Sequence, residues 1–400
     1  MADPNPRARG ARFAFLALLI GATAWGAHAT SSHRISSVVV DTLETVVAPV
    51  PPPAKAPVIE VAFVLDTTGS MSGLIEGAKQ KIWSVANQLA SGSPTPKIRI
   101  ALVGYRDRGD AYVTRIHGLT DDIDDVYAKL QAFEAGGGGD TPESVNQALH
   151  EAVNHLGWSE GHDVYKVIFL VGDAPPHMDY QDDVQYTTSV RLARKRGIVV
   201  NTVQCGTLAE ATPIWREIAS SGSGRYATIR QDGGMLALET PHDADLARLN
   251  AELGDTVVAY GAASDRAEIE AKKHRALAAD APAAASRLGF LAKTGGRVNS
   301  GKADLLDALN EGTVALDEVA PDALPEPLRE LSQDEREAFV AEKQEKRKSL
   351  LEQIRGLSRQ RDDYVSREQN RRAEAGEDDG FDQEVLGAIK DQAASKGITY

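Results

Sequence analysis

Residues 58–72 read VIEVAFVLDTTGSMS, an apolar run that passes directly into a turn rich in side-chain oxygen atoms. The run from Val58 to Leu65 is nearly unbroken and rich in β-branched residues, which favours a parallel strand buried on both faces. Asp66, Thr68 and Ser70 follow at alternate positions, and a helical pattern begins directly after the stretch. Carboxylate and hydroxyl oxygens are the ligands that Mg²⁺ prefers. The stretch therefore predicts a strand, a cation-binding turn and a helix in succession.

Two more oxygen-bearing residues stand at comparable places further along the chain. Thr141 precedes a helical pattern in the segment GGGGDTPES, and Asp173 follows the apolar run in VIFLVGD. Thr141 and Pro142 also have the pattern of a helix N-cap followed by proline at the first helical position. Because open α/β sheets bind ligands at the carboxyl ends of their strands, both residues are candidates for the same site as the Asp66 turn.

The pattern Asp-x-Thr-x-Ser, followed at a distance by a Thr and then an Asp, resembles the metal-ion-dependent adhesion site of von Willebrand factor type A domains. The resemblance implies a Rossmann-like fold and a bound Mg²⁺ ion, with Mn²⁺ as the alternative. It also implies that hydroxyls bind the ion directly and that acids bind it directly or through water. A carboxylate from a partner protein then completes the coordination shell. The implied ligands are Asp66, Thr68, Ser70, Thr141 and Asp173.

Strand and helix patterns alternate from residue 58 to about residue 240, which is typical of a doubly wound α/β fold with a mostly parallel sheet. This segment is the predicted type A domain. The residues before it, 30–57, are rich in Ser, Val and Pro and end in VPPPAKAP. A triple proline favours an extended polyproline II conformation, so this segment is predicted to be a stiff linker.

The first 29 residues have the features of a secretory signal peptide. Arg7, Arg9 and Arg12 precede the apolar run Phe13–Ala27, and AHA at residues 27–29 has the form of a cleavage site. The sequence therefore predicts an exported protein of bacterial type in the periplasm, the cell envelope or the medium. An uncleaved signal anchor is the alternative, and it is the only predicted contact with a membrane.

Composition excludes some classes of partner. The 400-residue chain has a formal net charge of −14, which argues against nucleic acid because phosphate binding needs a basic surface. Cys205 is the single cysteine, so the chain forms no intramolecular disulfide. It follows an apolar run and is predicted to be a buried residue at the end of a strand.

The rest of the chain is predicted to be helical. Residues 241–327 are alanine-rich, and residues 328–375 form one long charged helix that begins at a capping box of Ser332 and Glu335. Apolar residues at heptad spacing in this helix indicate either a coiled coil for self-association or a solvated helix that lies on the body of the protein. These heptad positions are Leu350, Leu357 and Tyr364, with Ile354 between them. The last segment, 376–400, is predicted to be a loosely ordered tail.

Three further residues are weaker candidates for the site. Asp140 and Glu143 flank Thr141 and carry carboxylates, but both are interpreted as solvated acids of a loop. His177 lies just past Asp173 and is interpreted as an exposed loop histidine beside the surface that a partner would contact.

The sequence favours a binding protein over an enzyme. It lacks the complete phosphate-loop motif G-x-x-x-x-G-K-[ST] and the H-E-x-x-H motif. The leading hypothesis is a metal-dependent adhesion or assembly module that binds a carboxylate of a protein partner. The alternatives are a structural envelope protein with a metal-stiffened site and a Mg²⁺-dependent hydrolase or phosphatase.

Overall fold

The apolar run at residue 58 forms the first strand of a six-stranded sheet in the computed structural model. The structure describes residues 56–161, 163–234, 238–295, 297–298, 303–376 and 380–400. The predicted signal peptide, and the linker up to residue 55, lie outside these residues. The strands are β1 (Val58–Asp66), β2 (Lys97–Tyr105), β3 (Thr114–Thr120), β4 (Val164–Gly172), β5 (Ile198–Cys205) and β6 (Ser223–Ile229).

The sheet has the strand order β3-β2-β1-β4-β5-β6. All neighbouring pairs are parallel except β2 and β3, which are antiparallel, so β3 is an antiparallel edge strand. The chain moves outward from β1 to β2 and then crosses back to β4 on the other side of β1. This reversal is the topological switch point at which doubly wound sheets bind their ligands. The predicted α/β class and mostly parallel sheet are confirmed.

Alternate residues of the central strands point to opposite faces of the sheet, and each face has its own apolar core. Ile59, Phe63 and Leu65 belong to the first core, whereas Ala62 and Val64 belong to the second. The helices that connect the strands cover both faces. They are α1 (Ser72–Leu89), α2 (Ile123–Gln131), α3 (Val145–His155), α4 (Tyr186–Lys195) and α5 (Ala211–Ser221).

The residues after the sheet are helical, as predicted. The helices are α6 (Asp243–Gly254), α7 (Ala263–Ala278), α8 (Ala281–Thr294), α9 (Leu305–Asn310), α10 (Glu326–Arg329), α11 (Gln333–Glu374) and α12 (Gly380–Ala393). Helix α8 packs on α1, where Gly289 allows the close approach: a Cβ there would lie 2.8 Å from Asn87 Oδ1. Among the described residues, no helix combines the length and apolar character needed to span a bilayer.

The long helix α11 begins at the predicted capping box. The Ser332 side chain accepts a hydrogen bond from the backbone of Glu335, and the Glu335 side chain accepts one from the Ser332 backbone. Leu350 and Ile354 are buried in a cluster with residues of α6 and α8, and Leu357 packs against the same cluster. Three of the four apolar residues that indicate a coiled coil therefore pack within the chain, and this part of the helix lies on the body of the protein.

The prediction of a loosely ordered tail is wrong for residues 380–400. Phe381, Val385 and Ile389 of α12 are buried in the same core as the first strand. The Gln392 side chain bonds to Tyr165 of β4 and to Asn201 of β5. Helix α12 therefore packs on the same face of the sheet as α1, and burial of its apolar side is the physical reason for its order.

Candidate metal site

Two of the predicted ligands stand at the carboxyl ends of the two strands that flank the switch point. Asp66 is the last residue of β1, and Asp173 comes directly after β4. The strands are adjacent and parallel, with Leu65 in register with Val171. Both carboxylates therefore lie at the same edge of the sheet, which is where the sequence placed them.

The turn after β1 is organised around one oxygen atom of Asp66. The Thr68 backbone N–H and the Thr68 hydroxyl both donate to Asp66 Oδ1, at 2.8 and 2.6 Å. Ser70 Oγ lies 3.3 Å from Thr68 Oγ1. Asp66 and Thr68 are buried, whereas Ser70 is exposed. The side-chain oxygen atoms of these three residues therefore extend from the buried edge of the sheet at Asp66 to solvent at Ser70.

A glycine-rich loop brings the Thr141 segment to this turn. Gly136 N–H donates to the Thr67 carbonyl at 3.1 Å, and Gly69 N–H donates to the Gly137 carbonyl at 3.4 Å. A Cβ atom on Gly69 would lie 3.3 Å from that carbonyl oxygen, so a side chain there would push the two loops apart. A side chain at position 69 would therefore fit only if the two loops moved apart by a few tenths of an ångström.

The loops enclose a polar cleft of about 330 Å³. Four predicted ligands line the cleft directly: Thr68, Ser70, Thr141 and Asp173. Asp66, the fifth, is fully buried beside them and bonds to Thr68. The structure thus brings together residues from three separate segments of the chain. Their roles as metal ligands stay a prediction.

The predicted N-cap role of Thr141 is wrong. Helix α3 begins at Val145, and Ser144 occupies the N-cap position. Glu143 instead forms an isolated β-bridge with Pro176: Glu143 N–H donates to the Pro175 carbonyl and His177 N–H donates to the Glu143 carbonyl. Thr141 is exposed at the cleft and takes no part in the helix end.

Glu143 is not the solvated loop acid that the sequence indicated. It lines the cleft and is only 3% exposed, because its backbone is paired with the loop after β4. Burial, together with the charges of Asp66 and Asp107, raises the pKa of Glu143 to about 9. At neutral pH this side chain is therefore protonated.

Gln231 is a further cleft residue that sequence reasoning missed. It follows β6, and its Nε2 atom donates to Asp173 Oδ2 at 2.6 Å and to the Ser70 carbonyl at 3.3 Å. Its amide therefore connects the loop after β4 to the turn after β1 through two hydrogen bonds. Its position directly after the last strand is the one feature of the sequence that indicates a place beside Asp66, at the edge formed by the carboxyl ends of the strands.

His177 is also not the exposed loop residue that was predicted. It is 6% exposed, and its imidazole lies among acidic side chains. Asp140, in contrast, is exposed as predicted.

The site fits a hard divalent cation. Asp66 Oδ2 is buried and has no hydrogen-bond partner among the described residues, which leaves one carboxylate oxygen available to an ion. Burial raises the pKa of Asp66 to about 7; the Thr68 hydrogen bonds oppose this shift and the charge of Asp173 adds to it. The donor set consists of carboxylate and hydroxyl oxygens, which Mg²⁺ and Mn²⁺ both accept. Two ionised aspartates would balance the charge of one such ion.

Comparison with known proteins identifies the sheet domain. The family model described as von Willebrand factor A domain matches residues 60–241. The chain is similar to the von Willebrand factor A domain-containing protein 7 of Rattus norvegicus, with 38% identity over 99 residues, which are 25% of this chain and 10% of that protein. The human protein of the same name is 37% identical over the same length. The chain thus spans about a tenth of the length of the curated relatives it matches.

Solved structures that resemble part of this chain include those of two proteins. Proximal thread matrix protein 1 from the mussel byssus is 21% identical, with a TM-score of 0.35 over 44% of this chain and 43% of that chain, in a structure described as having a zinc-occupied MIDAS motif. The SpRpn10 VWA domain is 15% identical, with a TM-score of 0.33 over 44% of this chain and 89% of that chain. The match to the family model and the sheet with its cleft lead to one conclusion: residues 60–241 are a von Willebrand factor A domain.

Proposed function

We propose that this protein is a non-enzymatic, metal-dependent binding module of the cell envelope. Its type A domain captures a protein partner by taking an acidic side chain of that partner onto a divalent cation. The cation is Mg²⁺, or Mn²⁺ in its place, and it is held by Asp66, Thr68, Ser70, Thr141 and Asp173. Protein binding is the general role of domains of this family, which supports the assignment.

The observation that carries the proposal is the cleft at the switch point. It gathers two aspartates and three hydroxyl residues from three loops, and it leaves Asp66 Oδ2 buried without a partner in the described structure. A buried carboxylate oxygen without a hydrogen bond is costly unless a cation or a proton neutralises it. An ion held in the cleft removes that cost.

An ion bound here would keep a place for an external ligand. Mg²⁺ takes six oxygen ligands in octahedral geometry and usually retains waters when a protein supplies only part of the shell. The cleft opens to solvent at Ser70 and Thr141, which are both exposed. A carboxylate on a partner protein can therefore replace a water on the open side of the ion.

The proposal is tested by capture from an envelope extract on the immobilised full chain, with Mg²⁺ and with excess chelator side by side. The expected result is a partner retained with Mg²⁺ and lost with chelator. Asp173→Ala should lose the partner in both conditions. Asp245→Ala is the matched control, because Asp245 is an exposed aspartate on α6, outside the cleft.

A partner retained equally with chelator, or by Asp173→Ala, contradicts the proposal. If instead Mg²⁺ raises the melting temperature and no partner depends on the metal, the site only stiffens the loops of a structural envelope protein.

Export rests on the sequence features of the first 29 residues and is proposed separately. Expression of the full chain in a bacterial host, followed by fractionation, should place the protein outside the cytoplasm. Sequencing of its amino terminus should begin at Thr30. Recovery from the cytoplasm with Met1 still present contradicts export.

A further inference from the structure

A second group of metal-binding side chains lies beside the cleft. Asp107 follows β2, Asp140 lies in the loop before α3, and His177 lies in the loop after β4. One ligand atom from each of these three residues lies within 4.8 Å of the other two. None of the three belongs to the five predicted ligands of the cleft.

The His177 ring is held in one orientation. Its Nδ1 atom lies 2.8 Å from Asp179 Oδ1, and its plane stacks on the Tyr180 ring with centroids 4.1 Å apart and an angle of 12°. A carboxylate only accepts hydrogen bonds, so Nδ1 carries the hydrogen and Nε2 of the neutral ring has a free lone pair. Metal-binding histidines almost always have such a carboxylate on their other nitrogen.

The free nitrogen is buried and points to the two aspartates. His177 is 6% exposed, and its Nε2 atom has no hydrogen-bond partner among the described residues. It lies 3.3 Å from Asp107 Oδ2 and 3.8 Å from Asp140 Oδ2. In a tetrahedral shell with ligands at about 2.0–2.1 Å from the metal, ligand atoms are about 3.4 Å apart. The measured separations are close to that value.

Asp107 is also positioned as a ligand would be. Its Oδ1 atom accepts from the Ser144 hydroxyl at 2.9 Å, and its Oδ2 atom accepts from the Tyr180 hydroxyl at 2.9 Å. Hydrogen bonds of this kind orient carboxylates that bind metals. Asp140, in contrast, has a side chain that is 59% exposed, so it gives a cation access from solvent.

We infer that Asp107, Asp140 and His177 form a second cation site, selective for a divalent transition metal of the zinc class. One imidazole nitrogen and two carboxylates suit Zn²⁺, whereas Mg²⁺ is bound through oxygen ligands. The fourth position faces solvent. Because Asp140 directly precedes Thr141, a metal here also fixes the loop that borders the cleft. Asp179 is a positioning residue that acts through the His177 ring.

Zinc binding to the full chain tests the inference, with the first site removed by Asp66→Ala. Equilibrium dialysis should then show one Zn²⁺ per chain. Adding Asp179→Asn should weaken the affinity by about 10- to 100-fold, the range found when a group that orients a metal ligand is lost. Adding His177→Ala removes a ligand itself and should weaken the affinity by at least as much. His155→Ala is the matched control, since His155 is an exposed histidine at the end of α3, and it should change nothing.

The visible spectrum of bound Co²⁺ provides a second readout. It reports whether a nitrogen atom binds the ion, and a purely structural role of His177 would not affect it. The Asp66→Ala chain should show visible absorption bands of a nitrogen-ligated Co²⁺ ion, and His177→Ala should abolish them. If His177→Ala does not fold, the Zn²⁺ affinity and the Co²⁺ bands of Asp107→Asn and Asp179→Asn are measured in its place, and both variants should weaken metal binding. Asp66→Ala protein that binds no Zn²⁺, or that binds it equally well with these substitutions, overturns the inference. Neither result bears on partner capture at the first site.

Discussion

Asp66 and Asp173 stand side by side at the ends of neighbouring parallel strands, and the negative charge of Asp173 adds to the effect of burial on Asp66. Together they help raise the pKa of Asp66 to about 7. Glu143, buried in the same cleft, has a pKa raised to about 9. The metal-free protein therefore holds protons in this cleft at pH values where an unfolded chain would have released them.

The first prediction concerns the stability of the metal-free protein. Raised pKa values mean that the folded state binds more protons than the unfolded state, so the free energy of unfolding should fall as the pH rises. Between pH 5 and pH 8 we expect a fall of about 2–3 kcal/mol from Asp66, and the raised pKa of Glu143 adds to that fall. Urea denaturation in chelator at both pH values measures it. Asp66→Asn should reduce this dependence of the free energy of unfolding on pH. A free energy of unfolding of the wild-type chain that rises from pH 5 to pH 8 contradicts the account.

The second prediction is that metal binding releases protons. An ion in the cleft needs Asp66 ionised, and with its pKa at about 7 the ionised fraction rises from about a tenth at pH 6 to about a half at pH 7. The affinity for Mg²⁺ should therefore rise by about fivefold between these two pH values. Calorimetry in buffers of different ionisation enthalpy counts the released protons. Binding that is independent of pH and buffer would mean that the ion sits elsewhere.

The third prediction concerns Gly172, the last residue of β4. A Cβ atom there would lie 2.4 Å from the Tyr105 hydroxyl and 3.1 Å from Asp66 Cβ. Gly172→Ala should therefore displace Asp66, weaken Mg²⁺ binding by about tenfold or more and lower stability by about 1–3 kcal/mol. Titration and urea denaturation measure these two effects.

Gly387→Ala is the control for that substitution. Gly387 lies within α12, and a Cβ there has open space around it. This change should leave metal binding intact and raise stability by about 0.5–1 kcal/mol, because alanine favours a helix over glycine. Equal loss of Mg²⁺ affinity in both variants would show that Gly172 has no special relation to Asp66.

The fourth prediction concerns the carboxyl-terminal helix. Lys81 of α1 and Asp382 of α12 form a buried ion pair at 2.8 Å. Lys81→Met leaves the Asp382 charge buried without this partner, which should cost about 3–5 kcal/mol. Lys81→Met combined with Asp382→Leu should recover much of that loss, since the double variant removes both charges of this pair. Urea denaturation compares the two variants; a double variant that is less stable than the single one rules out this explanation.

Much of the fold could be predicted because its signals are local. The run ending at Leu65 is apolar at every position but one, and the alternation of strands and helices continues to β6. Asp66 and Asp173 were found for the same reason: each ends an apolar run, and parallel strands bring such ends to one edge.

The remaining features depend on contacts between distant segments. Glu143 and His177 are polar residues in a loop-like sequence, and only the pairing of residues 143 and 176 buries them. Gln231 follows the last strand of the sheet and has no local motif. For α12 a signal did exist, because Phe381, Val385 and Ile389 are four residues apart. Because the sequence around them is polar, the segment has the composition of a loosely ordered tail.

The central claim is that one divalent cation sits where the three loops meet, and crystals of the wild-type chain grown with Mn²⁺ test it most directly. The anomalous scattering of manganese locates the ion without reference to any partner. The account predicts an ion in the cleft bound by oxygen atoms from the Asp66 turn, the Thr141 loop and Asp173. A map with no manganese in the cleft, at a concentration that saturates binding in solution, contradicts it.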